Sequence, residues 1–318
     1  MNSQCVVGID VGGQTTKIGV VDARGTVLSQ TVIRTDTYSE ITPYIAELAE
    51  AVNKVITDSG MKGNVRGIGV GAPNGNYYTG TIENAPNLLW GRQRVEFAKL
   101  LSDAMDGLPV ALTNDANAAA VGEMTYGAAR GMKNFIMITL GTGVGSGIIV
   151  NGEVVYGHDG FAGELGHTCA VRNNGRTCNC GKTGCLETYA SATGVARTAR
   201  EWLELSDEPS VLRSLDTIAS KDVYEAAKEG DKLALKIFDF TGKVLGRSFA
   251  DFIAFSSPEA IVLFGGLARA KEFLLGPIEE AMNDNVLPLW RNKVKIVFSQ
   301  LKESDAAILG ASALAWEL

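Results

Sequence analysis

The densest group of reactive side chains lies between residues 164 and 187. Glu164-Leu165-Gly166-His167 is followed by Cys178-Asn179-Cys180-Gly181-Lys182-Thr183-Gly184-Cys185-Leu186-Glu187, and four of the five cysteines fall within residues 169–185. Three thiolates and one imidazole would complete a closed tetrahedral Zn2+ site. No position would be left for a reactive water, so a structural metal is expected. The C-x-C-x4-C spacing differs from the C-x2-C pairs of generic zinc ribbons, and Cys169 is an alternative to His167 as ligand. If one ring nitrogen of His167 binds the metal, the other can donate to a substrate hydroxyl with its tautomer fixed. Glu164 and Glu187 flank the loop, where carboxylates can bind the hydroxyls of a polyol. Most glutamates in such places only pair with surface cations. His158 reads as a hydrogen-bonded structural residue.

Two glycine turns come next. Asp10-Val11-Gly12-Gly13-Gln14-Thr15-Thr16-Lys17 joins two apolar runs, and Gly141-Thr142-Gly143 repeats that design about 130 residues later. Glycines let backbone N–H groups approach an anion, and Thr15 and Lys17 add donors. Asp10, at a strand end, can hold Mg2+ through water. Neither turn is a P-loop or a Rossmann fingerprint. Either alone reads equally well as an ordinary hairpin; the pair favours a nucleotide held across a cleft. Asn114-Asp115-Ala116-Asn117 sits between a strand and a helix. Asp115 is either a helix N-cap or a carboxylate that takes the proton of a hydroxyl attacking a phosphoryl group.

The elements that must position these groups follow from the pattern. Strands are predicted at Cys5–Val11, Thr16–Asp22, 26–34, 67–71, Val110–Thr113, Phe135–Leu140, 144–150, Ala260–Phe264 and 294–299. Helices are predicted from a Ser39 cap to Gly60, and at 116–126, 187–205, 220–229, 231–255 and 304–317. Residues 163–187 read as irregular. The repeated strand–glycine turn–strand unit implies an internally duplicated α/β fold with a cleft between halves.

The 318 residues are 46% hydrophobic and 20% charged, which suits about two folded domains rather than disorder. A net charge of -7 argues against non-specific nucleic-acid binding. No run is long and apolar enough to span a membrane, and the first ten residues lack a signal-peptide pattern, so a cytoplasmic protein is expected. Reduced cysteines then favour a metal over disulfides.

Taken in order, these motifs resemble the ROK family of sugar kinases, within the actin-like ATPase (ribonuclease H-like) superfamily, and most of all its bacterial glucokinases. The resemblance runs nearly end to end. It also covers Gly71-Ala72-Pro73-Asn74-Gly75, Asn87-Leu88-Leu89-Trp90 and Phe264-Gly265-Gly266. It implies an ATP-dependent kinase acting on the 6-hydroxyl of a hexose, glucose first. N-acetylglucosamine, N-acetylmannosamine, allose, fructose and mannose are the alternatives. It implies Asp115 as base, and Asn114, Glu164, His167 and Glu187 on the other sugar hydroxyls. Asn74, where the family usually has Gly, stands beside the sugar. Zn2+ falls to His167, Cys178, Cys180 and Cys185. The phosphates fall to Asp10, Gly12, Gly13, Gln14, Thr15, Lys17, Gly141, Thr142 and Gly143, and adenosine to Gly265 and Gly266. Gln14 departs from the family's Thr, leaving Thr15 or Gln14 itself as the contact. Two domains are implied: residues 1–115 with 304–318, and 116–303 carrying the zinc loop 167–187. Mg2+ and a homo-oligomer, dimer or tetramer, complete the expectation. Repressors of the same family carry an N-terminal DNA-reading module, for which a strand starting at Cys5 leaves no room.

Overall fold

The computed structural model describes residues 4–318, with the side chains of residues 303 and 304 left aside. The first three residues of the segment judged not to be a signal peptide lie outside the described residues. Two five-stranded sheets carry the fold. In the first, β1 (Cys5–Val11), β2 (Thr15–Asp22) and β3 (Val27–Arg34) form an antiparallel meander. Helix α1 (Ile41–Asp58) then leads to β4 (Val65–Gly71), which pairs parallel with β1. A small hairpin, β5 (Gly75–Asn76) and β6 (Thr81–Ile82), and helix α2 (Phe97–Ala104) precede β7 (Val110–Thr113), parallel to β4. The sheet order is β3-β2-β1-β4-β7.

Helix α3 (Asp115–Tyr126) crosses to the second sheet, which repeats the plan. Strands β8 (Phe135–Leu140), β9 (Val144–Val150) and β10 (Glu153–Val154) form the meander. Helices α4 (Glu187–Ala190), α5 (Ala192–Leu205), α6 (Ser220–Lys228) and α7 (Lys232–Ser256) lead to β11 (Ala260–Phe264). Helix α8 (Lys271–Asn285) then leads to β12 (Lys295–Phe298). Both β11 and β12 are parallel, and the order β10-β9-β8-β11-β12 matches the first sheet strand for strand. Helix α9 (Glu303–Leu314) and a 3-10 turn (Ala315–Glu317) return to the first sheet.

Several expectations change in detail. α1 starts after Glu40, not Ser39. With Ser39 as cap, Pro43 would fall where its missing N–H breaks the first helical bond; one residue later it sits in the free first turn. The single helix expected over 187–205 is broken at Ser191, whose extended backbone separates α4 from α5. The last helix ends its regular turn at Leu314.

Helix α9 lies directly on β1 and β4 because two strand positions lack a Cβ. A Cβ on Gly8 would collide with the Ile308 carbonyl, and one on Gly69 with the Ala311 carbonyl. Gly69→Ala is expected to cost about 2–4 kcal/mol, since backbone rather than a flexible side chain must move. Urea denaturation of the variant beside wild type checks this.

Candidate active site

Both glycine turns sit at the same end of their hairpins. The first closes β1 onto β2, with Gly12 N–H donating to the Thr15 carbonyl at 3.0 Å. Gly13 faces Asn87, whose carbonyl lies 2.8 Å from where a Cβ would stand. The Gln14 carbonyl accepts from Thr35 N–H at 2.9 Å, which fixes the turn from outside, and its side chain is exposed. Behind it the buried Thr16 hydroxyl bonds Thr35 at 2.8 Å and Tyr44 at 2.6 Å. The second turn closes β8 onto β9, with Gly141 N–H donating to the Gly143 carbonyl at 3.0 Å. Gly265, at φ 105°, ends β11 against the Leu140 carbonyl that opens this turn. Gly266 starts a 3-10 turn, and with α6 it lines a cavity of about 260 Å³.

Asn114 and Asp115 divide the two roles between which sequence could not choose. Asn114 is the N-cap of α3, its side-chain oxygen accepting from Asn117 N–H at 2.8 Å. Asp115 is therefore not the cap. It is the first helical residue, it accepts from Ala116 N–H at 2.8 Å, and its side chain opens to the cleft. Asp10, Asp115 and Thr139 share the wall of a cavity of about 210 Å³.

The surroundings of these acids are desolvating. Burial pushes Asp10 up to about 6, helped by the Asp115 charge and opposed by Lys17. Burial likewise raises Asp115, against the Ala116 N–H. Burial also raises Glu164, with Asp115 and Glu187 adding to the rise and His167 opposing it. Asp115 is thus felt by the acid beside the first turn and by the acid beside the cysteine loop.

Asp10 gives a sign that can be tested. The folded carboxyl keeps its proton to about pH 6, while the unfolded one loses it near 4. The folded state binds more protons between those values, so stability falls as pH rises through that window. The cost is absent below about pH 4 and complete above about pH 7, up to about 3 kcal/mol. Asp10→Asn is expected to raise the Tm of the ligand-free protein at pH 8 and to leave it unchanged near pH 4, by thermal melts.

The cysteine loop gathers one set of ligands. The ligand atoms of His167, Cys178, Cys180 and Cys185 all lie within 4.8 Å of one another. Cys178 Sγ is 3.7 Å from His167 Nδ1, and Cys180 Sγ is 3.7 Å from Cys185 Sγ. Three thiols and an imidazole converging without a disulfide suit Zn2+. Cys169 is not among them; its thiol turns to the Val171 carbonyl at 3.5 Å. With Nδ1 toward the cluster, the Nε2 edge of His167 is the one left for a hydroxyl.

Sequence reading missed the residues that hold this loop in place. Arg176 is buried, and its guanidinium bonds Glu201, Thr198 and the Thr188 carbonyl and lies 4.5 Å over the Tyr189 ring. Ser146, buried in β9, donates to the Gly163 carbonyl and accepts from Leu165 N–H, which seats Glu164 at the loop entrance. A polar residue within an apolar strand was the available signal. Asn74, the expected sugar contact, has its amide hydrogens already engaged. It takes a left-handed backbone, φ 52°, which explains an Asn where Gly is usual. Both amide hydrogens go to carbonyls, of Glu83 and Asn84, each at 3.0 Å. Glu187 is also doubly engaged: one oxygen accepts from Val144 N–H at 3.0 Å, and the other lies 3.8 Å from Cys178 Sγ.

The model of the ROK family matches residues 6–317. The chain belongs to the ROK family. This ROK chain is 38% identical to a glucokinase of Halalkalibacterium halodurans, over 98% of its own length and 94% of the relative's. It is 35% identical to a glucokinase of Thermotoga maritima, over 97% and 96%. Among solved structures, a ROK glucokinase of Streptomyces griseus in complex with glucose and AMPPNP superposes with a TM-score of 0.79 at 32% identity, covering 99% of this chain and all of that one. The duplicated, actin-like α/β fold expected of this ROK chain is the one observed. Among the described residues, no helix is long and apolar enough to cross a membrane.

Proposed function

We propose that the chain is an ATP-dependent glucose kinase, transferring the γ-phosphoryl group to the 6-hydroxyl. The carrying observation is the place of Asp115. Freed from capping by Asn114, it lines one cavity with Asp10 of the first turn. Relatives named glucokinase over nearly the whole length support the sugar.

In this reading the backbone N–H groups of residues 12–15 and 141–143 cradle the phosphates, with Thr15, Gln14 and Lys17 as side-chain donors. Gly265, Gly266 and the cavity beside α6 take the adenosine. Glu164, His167, Glu187 and the free amide hydrogens of Asn114 orient the sugar. Asn74 has only its oxygen left to accept from a hydroxyl. Asp115 orients the 6-hydroxyl and takes its proton late in a loose transition state. Asp10 would hold Mg2+, which when bound with ATP neutralises charge on the phosphates. His167, Cys178, Cys180 and Cys185 would hold Zn2+, which keeps the loop folded. The two domains are residues 1–115 with 304–318, and 116–303. The reading includes a cytoplasmic homo-oligomer, checked by light scattering on the purified protein.

A coupled ADP-release assay with Mg·ATP and a panel of hexoses and N-acetylhexosamines tests it. Glucose is expected to give the highest kcat/KM. A higher value for another sugar would move the specificity, and no sugar-dependent ADP release would remove the kinase.

A further inference from the structure

The peptide that leaves the cysteine loop does more than end it. Thr188 N–H and hydroxyl both return to the Cys185 carbonyl, at 3.0 and 2.8 Å, so α4 is built on a metal-ligand residue. Over seven residues the same peptide makes two bonds to the second glycine turn and one to Val144, the residue that follows it. Glu187 Oε2 accepts from Val144 N–H at 3.0 Å, Ala192 N–H donates to the Gly141 carbonyl at 2.8 Å, and the Thr193 hydroxyl donates to the Thr142 carbonyl at 2.8 Å. The Thr193 hydroxyl is itself oriented by Ser191, 2.9 Å away, and Ser191 in turn accepts from Gly194 N–H at 3.0 Å. That chain of donors runs one way, from the first turn of α5 to the glycine turn. It exists because Ser191 breaks the helix between α4 and α5.

Among the described residues the turn has one internal backbone bond, Gly141 N–H to the Gly143 carbonyl, and the space beside Gly141 is open to 4 Å. A flexible turn that must present N–H groups to an anion loses affinity to ordering entropy unless something outside holds it.

We propose that the peptide Glu187–Thr193 holds the second glycine turn in its anion-binding shape, with Thr193 as a positioning residue, so that the cysteine loop supports nucleotide affinity as well as sugar affinity. The proposal rests on the reading of residues 141–143 as a phosphate turn. Glu187 carries the link at one end, with one oxygen on Val144 N–H, just past the turn, and one at the cysteine cluster. Thr193 carries it at the other end, with its hydroxyl on the Thr142 carbonyl.

The test titrates Mg·ADP into the zinc-loaded protein without sugar, by calorimetry, for wild type, Thr193→Val and Thr193→Ser. Thr193→Val is expected to raise the Kd for ADP about five-fold, the effect of one lost hydrogen bond. Zinc content and the Kd for glucose should stay within two-fold of wild type, and Thr193→Ser should restore ADP affinity. Amide exchange at residues 141–144 should quicken in the Val variant alone. Wild-type binding of ADP with unchanged affinity and exchange in Thr193→Val would overturn the coupling and leave the kinase reading standing. Absence of ADP binding by the wild type would overturn both. Glucose affinity falling in step with ADP affinity would mark a general loss of structure and overturn the specific role of Thr193.

Discussion

Asp115→Asn is expected to lower kcat by about a thousand-fold while changing the Kd for glucose by no more than a few-fold. The geometry makes this a clean exchange. Asn114, not Asp115, caps α3, so the helix keeps its start. An amide oxygen can still accept the Ala116 N–H that Asp115 now accepts. What disappears is the capacity to accept a proton from the attacking hydroxyl. The charge that raises Asp10 disappears too, so Asp10 should ionise more readily in the variant and cannot account for the loss. Single-turnover phosphoryl transfer measures the chemical step, and sugar titration measures the binding. Turnover within ten-fold of wild type would take Asp115 out of its role as base. In the wild type, kcat/KM should rise with pH across an acid limb near 6, because the reactive form needs its carboxylates ionised. That limb is the ionisation of Asp10, which burial and the Asp115 charge push up to about 6.

The second large effect is expected at the cysteine cluster. Cys180 is exposed while Cys178 and Cys185 are buried. Cys180→Ser therefore leaves no cavity and buries no new polar group; any loss of stability must come through the metal. Zinc content is expected to fall from about one equivalent to a small fraction, and the Tm to drop by roughly 10 °C, given what closed sites of this kind contribute to folding. Added chelator should bring the wild type to the same Tm and leave the variant unmoved. Metal analysis and melts together decide the matter; a wild type without zinc, or a variant as stable as wild type, would reject a structural metal.

Much of this site was legible because it is local in sequence. The glycine turns, Asn114-Asp115 and the Cys178–Glu187 loop each announce themselves within ten residues, and the matching spacing of the two turns foretold the matching sheets. What sequence could not assign depended on packing at a distance. Asn114 and Asp115 are both good caps, and the extended backbone at Asn114 decides which one caps. Cys169 and His167 are both good ligands, and the turn of the Cys169 thiol to the Val171 carbonyl decides between them. Helix α8 was invisible because Gly276 and Pro277 sit in its middle. It survives because α7 carries Gly242 opposite Pro277 and Gly246 opposite the Ile278 carbonyl, so the two helices meet at close range. The split at Ser191 was hidden for a similar reason. Gly194 must approach the backbone of Thr188 and Tyr189, and a continuous helix could not fold back that far.

Helices α3 and α9 touch where Gly122 meets Gly310, with a Cβ on Gly122 falling 2.6 Å from the Gly310 Cα. Helices elsewhere interlock through ridges and grooves, which fix their angle. Here two glycine backbones meet with no side chain between them, and Ala118, Val121, Ala313 and Leu314 pack as a buried cluster beside the contact. A methyl group on Gly122 would act as a washer, spreading the two helices where they cross.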